Sequence, residues 1–135
     1  MKKQLLTLLA LALALGTSAF AQSTKVKADV PFNFVVSGVT LPAGQYSLDS
    51  IAQGTLAIRN ADQKANRMVL TNRCQSLDAP ERTKLVFHRY GDRYFLAQIW
   101  VAGENSGREI PKSHREAEMA LDYTVQNVVL YAALR

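Results

Sequence analysis

The side chains suited to acid–base or nucleophilic chemistry are few in this sequence: two histidines, His88 and His114, and one cysteine, Cys74. His88 stands in the alternating apolar run Leu85-Val86-Phe87-His88-Arg89-Tyr90. An imidazole there can act as a general base or a metal ligand. It can equally be a core histidine satisfied by one hydrogen bond, which is the preferred reading. Cys74 with His88 as its base would need a third group to orient the imidazole, and no nucleophile motif surrounds the cysteine. A mixed metal site drawn from His88, Asp92, His114 and Glu116 lacks any diagnostic pair spacing. No G-x-S-x-G elbow, H-E-x-x-H helix, glycine-rich phosphate loop or EF-hand loop occurs. The sequence therefore assigns no catalytic, cofactor-binding or metal-ligating residue, and no cofactor is expected.

Basic residues are denser between positions 82 and 115 than elsewhere, at Arg82, Lys84, Arg89, Arg93, Arg108, Lys112 and Arg115. Interleaved aromatics make His88, Arg89, Tyr90, Arg93, Tyr94, Trp100 and Arg108 the candidate surface or pocket residues, for an acidic glycan or a lipid headgroup. A solvated rim around a core hairpin accounts for the same charges and is preferred. Phe32, Phe34, Phe87, Phe95 and Trp100 could line a pocket for an apolar ligand, but a domain of this size needs such side chains for its core. An unpaired Cys74 in an exported protein could also form an intermolecular disulfide.

These residues must be positioned by short strands. The 135-residue chain is 48% hydrophobic, too apolar for disorder, and its lone cysteine excludes an internal disulfide framework. Val30, Phe32, Phe34 and Val36 alternate, with Pro31 marking a strand start or sheet edge. Leu41-Pro42-Ala43-Gly44 reads as a type I turn. Strands follow at Gln45–Ile51, at Thr55–Asn60 and at Arg67–Cys74, the last with Met68 and Leu70 inward. Tyr90-Gly91-Asp92-Arg93 reads as a type II′ turn closing a hairpin over Thr83–Val101. Its register sets His88 opposite Phe95 and Arg89 opposite Tyr94, a cation–π pair. One face then carries Leu85, Phe87, Leu96 and Trp100, the other Val86, His88, Tyr90, Phe95, Ala97 and Ile99. Ala102–Ile110 reads as a loop. Ser113 and Glu116 form a capping box for a short helix with Ala117, Ala120 and Leu121 as its apolar stripe. A valine-rich strand, Tyr123–Leu134, ends the chain. About seven strands and one short helix near the C-terminus make an all-β sandwich or barrel-like domain.

Residues 1–21 read as a secretory signal peptide: Lys2 and Lys3, the apolar run Leu5–Leu15, then Ala19-Phe20-Ala21 as the cleavage site. Cleavage leaves a single β-sandwich domain over residues 22–135. Its 114 residues carry 14 basic and 11 acidic side chains, a net charge of +3. That charge is no nucleic-acid footprint, and no transmembrane segment remains.

Val30-Pro31-Phe32-Asn33-Phe34, Leu41-Pro42-Ala43-Gly44-Gln45-Tyr46 and Leu85 through Leu96 together resemble a group of small exported bacterial proteins of unknown function. Each of these is a signal peptide followed by one short domain. The resemblance implies export but carries no activity or catalytic role. The expectation is a non-catalytic module of the periplasm or extracellular space that binds an envelope protein, a glycan or a membrane surface. A small apolar-ligand or glycan-binding protein, and a secreted hydrolase using His88, are the alternatives. The exported protein should begin at Gln22. Intact-mass measurement checks this, and a mass that retains residues 1–21 would refute cleavage.

Overall fold

The computed structural model describes residues 25–62 and 66–134. The expected signal peptide lies outside the described residues. The described chain is an all-β sandwich with one short helix near its C-terminus.

One sheet holds β1 (Lys25–Val30), β4 (Gly44–Ala52), β5 (Thr55–Asn60), β6 (Asn66–Leu70) and β12 (Ala133–Leu134), in the order β12-β1-β4-β5-β6. The second has as its main path β11 (Gln126–Tyr131), β8 (Lys84–Tyr90), β9 (Arg93–Trp100), β10 (Ser106–Glu109) and β7 (Asn72–Gln75), in the order β11-β8-β9-β10-β7. A small hairpin, β2 (Phe34–Val36) with β3 (Val39–Leu41), joins it through a parallel pairing of β2 with β9. The helix α1 spans His114–Asp122.

The described residues form twelve strands, rather than about seven, because of the way the chain passes between sheets. The apolar alternation through Val30, Phe32 and Phe34 is two strands: β1 ends at Val30, and β2 begins at Phe34 in the other sheet. Pro31, lacking an N–H, sits at that passage and not on a sheet edge. Thr71 separates β6 from β7, and Ala132 separates β11 from β12. Both passages cross from one sheet to the other. The expected loop at Ala102–Ile110 contains β10, paired to both β9 and β7.

The core lies between the sheets. Val26, Val30, Leu48, Leu56, Ile58 and Val69 from the first sheet meet Phe34, Leu85, Phe87, Leu96 and Ile99 from the second. Phe87 packs edge-on against both Phe32 and Phe34, with ring centroids 5.0 and 5.6 Å apart. The Tyr46 hydroxyl donates to the Pro42 carbonyl, and the Asn33 side chain accepts from the Ala43 N–H at 3.0 Å, so the Pro42 turn is tied from both sides. The expected inward pair of β6 is reversed. Met68 and Leu70 are 67% and 73% exposed, while Val69 is buried.

The β8–β9 hairpin has the register expected near its turn: Tyr90 opposite Arg93, Arg89 opposite Tyr94, His88 opposite Phe95. Farther from the turn the pairing shifts between Val86 and Phe87, so that Val86 meets Gln98 and Ala97 is left over. One extra residue reverses the faces of everything beyond it. Ile99 therefore joins Leu85 in the core, and Trp100 turns to the outer face, the reverse of the sequence expectation. Gly107 lies opposite Trp100 on β10, and a β-carbon there would come within 2.7 Å of the indole. A side chain at that position has no room.

Gly91 has φ +62°, and among the described residues Asp92 has no positive φ, as a type II′ turn requires. A β-carbon on Gly91 would also lie 3.1 Å from the Tyr123 ring. Gly91→Val should cost about 1–3 kcal/mol of stability by urea unfolding. An unchanged midpoint would refute the turn.

Candidate functional site

Two places in the fold bring polar side chains together. The first lies under α1. Ser113 is the N-cap, its hydroxyl accepting from the Glu116 N–H at 3.2 Å. The other half of the expected capping box does not form. The Glu116 side chain turns inward, where it is 5% exposed, and takes His88 Nδ1 at 2.9 Å and the Tyr90 hydroxyl at 3.2 Å on the same oxygen, Oε1. The buried side of the helix is thus Glu116 with half-buried Met119, which packs on Val35, Tyr90 and Phe95. The expected stripe of Ala117, Ala120 and Leu121 faces solvent instead.

Burial, then the Glu116 charge and its hydrogen bond, push the Tyr90 phenol up to about 12. At neutral pH it is a donor and not a base. The carboxylate is acceptor to both groups, and a buried carboxylate needs such donors. His88, 22% exposed, has Glu116 as the partner of its Nδ1. An imidazole held at Nδ1 by a carboxylate is oriented as a base or ligand is oriented in hydrolytic sites. The partners such chemistry needs are elsewhere. Cys74 lies on β7, three strands from β8 across the sheet, roughly 14 Å at strand spacing. Burial, with the Glu109 charge adding to it, raises the Cys74 thiol, so it is no ready nucleophile. His114 pairs with Glu118 on the exposed side of the helix. Among the described residues no three His, Cys, Asp or Glu side chains converge as a metal site.

The second place is a cleft of about 570 Å³ between the sheets, beside the β6–β7 passage. Its floor is apolar: Val26, Leu48, Leu56 and Ile99. Polar groups ring it, chiefly Ser50, Thr71, Arg73, Glu104 and Arg108. Arg108 extends from β10 to β4, donating from Nη2 to Ser50 Oγ at 3.3 Å. Thr71 is 7% exposed, and its hydroxyl has no hydrogen-bond partner among the described residues.

Of the candidate surface or pocket residues, His88 and Tyr90 meet at the helix on Glu116, and Arg108 reaches the cleft. Arg89 donates from Nε to the Gly91 carbonyl at 2.7 Å and lies 5.4 Å from the centre of the Tyr94 ring. Tyr94 in turn stacks on Phe32 at 3.8 Å. Arg93 is exposed beside the hairpin turn. Trp100 is buried, with its indole N–H on Gln98 Oε1 at 3.0 Å. Phe32, Phe34 and Phe87 are packed on one another as core, and Phe95 and Trp100 lie on the outer face of their sheet. None of these five rings lines the cleft. Sequence reasoning missed the inward turn of Glu116, and it missed Arg73.

No family model matches this chain, and neither the curated proteins nor the solved structures contain a match. No helix among the described residues is long and apolar enough to cross a membrane.

Removing either His88 or Tyr90 leaves the buried carboxylate short of a donor. Tyr90→Phe should cost about 1.5–3 kcal/mol, the value of a hydrogen bond to a charged group. The raised phenol also sets a pH dependence. Its contribution is fully present below the unfolded tyrosine value near 10 and is lost as pH rises toward 12. Alkaline unfolding followed by circular dichroism should therefore show a limb above pH 10 that Tyr90→Phe removes. His88→Phe should cost at least about 2 kcal/mol, and His88→Phe with Glu116→Met should recover most of it, because the unpaired carboxylate is gone. A urea double-mutant cycle measures the coupling, and additive losses would refute the network.

Proposed function

We propose that this protein is an exported, non-catalytic binding module, and that its ligand enters the cleft between the two sheets. The cleft carries the reading. Its volume is in the range of small-molecule sites, its floor is apolar, and a few polar groups converge on it. The resemblance to small exported bacterial proteins supports a place in the periplasm or outside the cell. A cleft on the sandwich favours a small amphipathic ligand over a protein or glycan bound on an outer face.

A hydrolase using His88 is the second reading, favoured by one observation: the 2.9 Å contact that orients its imidazole on Glu116. The same carboxylate oxygen also takes the Tyr90 hydroxyl, and the three groups fasten α1 to the sheet. That arrangement is accounted for as a staple.

The anionic apolar dye 8-anilinonaphthalene-1-sulfonate should bind the folded protein saturably at one site. Ser50→Trp, which fills the cleft from its rim, should abolish that binding and leave the melting temperature within a few degrees. Absence of saturable binding to the folded protein would overturn the reading. His88→Gln should leave the binding intact.

A further inference from the structure

Arg73 and Arg108 stand directly opposite each other in the β7–β10 pairing, and both line the cleft. Like charges facing each other across a strand pair repel. Among the described residues neither guanidinium has a carboxylate within salt-bridge distance, although Glu104 stands in the same lining. The neighbouring position across β9 is Ile99, a core residue, so Arg108 stands on the inner face of its sheet. Beside them the buried Thr71 hydroxyl lacks a partner.

A two-guanidinium rim, an orphaned hydroxyl and an apolar floor share one complement. We infer that the cleft binds an amphipathic anion, a carboxylate or phosphate headgroup carrying a short alkyl body. This rests on the cleft reading given above and names its ligand class. The headgroup bridges Arg73 and Arg108, whose planar donors suit carboxylate and phosphate oxygens. It thereby removes the repulsion between them. The alkyl body lies over Val26, Leu48, Leu56 and Ile99, and each methylene adds to the affinity as it leaves water. The Thr71 hydroxyl gains an acceptor or, through a water, a bridge to the headgroup.

Isothermal titration of the exported protein with octanoate, octyl phosphate, 1-octanol and inorganic phosphate tests this. At least one of the two octyl anions should bind tenfold or more tighter than 1-octanol and than inorganic phosphate. Preference for octyl phosphate points to a phospholipid-type ligand, and preference for octanoate to a fatty acid. Arg73→Gln and Arg108→Gln should each weaken the octyl anion at least tenfold and leave 1-octanol unchanged. Arg73 is exposed, so its variant keeps the fold, and ligand-free Arg73→Thr should melt no lower than the parent. Equal binding of 1-octanol and the octyl anions, indifferent to both arginine variants, overturns the anion assignment while leaving the cleft a binding site. Inorganic phosphate binding as tightly as octyl phosphate overturns the amphiphile. No binding of any of the four to the folded protein overturns the ligand class and the cleft reading together.

Discussion

The period of two along a β-strand governs this molecule more than any single contact. A sandwich needs every strand to keep one row of side chains on the inner face, and a chain that crosses between sheets must keep that row inward around the bend. The segment from β6 into β7 does so. Arg67 lies opposite inward Ile58, and Val69 opposite Leu56. Thr71 sits at the passage, and Arg73 continues the row in the second sheet. Met68 and Leu70 are left on the outer row however apolar they are. The β11–β12 passage closes the opposite side, its Ala132 N–H donating to the Thr83 carbonyl at 2.9 Å. The sandwich is therefore laced along both sides by chain that belongs to both sheets.

Closing the sides in this way leaves the outer face of the second sheet to be covered separately, and a nine-residue helix does it with little apolar surface. The cover relies on one buried carboxylate. A charge taken out of water is costly unless donors replace its hydration, and Glu116 finds two at alternate positions on the outer face of one strand, His88 and Tyr90. Met119 adds the apolar part of the contact. The position of the helix is thus specified by hydrogen-bond geometry more than by area, and one oxygen couples the N-cap region of α1 to β8.

How much of this was legible in the sequence depended on the range of the signal. The type II′ turn at Gly91 and the hairpin pairing beside it are written in four adjacent residues, and the N-cap at Ser113 in four more. The bulge at Ala97 has no such local mark, and it displaced Ile99 and Trp100 from the faces that simple alternation gave them. Glu116 was read as half of a capping box because its spacing from Ser113 fits one. Its true partners lie 28 and 26 residues earlier, and only the docking of the helix brings them near. Arg73 and Arg108 are 35 positions apart and meet because β7 and β10 pair, which no property of either segment announced. Their meeting was invisible even though Arg108 itself stood out among the basic residues.

The misreading of Arg67–Cys74 is itself informative about where the molecule interacts. Hydrophobicity alone assigns Met68 and Leu70 to the interior, and the fold instead turns Thr71 and Arg73 inward. A sequence that sets its binary pattern against its own fold loses burial at the outer row and carries polar groups on the inner one. Stability offers no reason for that exchange at Arg108: a leucine there would extend the core that Ile99 and Leu56 begin. The two arginines instead keep the inter-sheet space open at this end and line it with positive charge over an apolar floor. The β8–β9 hairpin shows no such conflict on its inner face, where Leu85, Phe87, Leu96 and Ile99 close the core. On the inner row of the second sheet the charged positions are Arg73 and Arg108, on the two paired strands that border the cleft, and that pairing is what separates a site from a merely imperfect core.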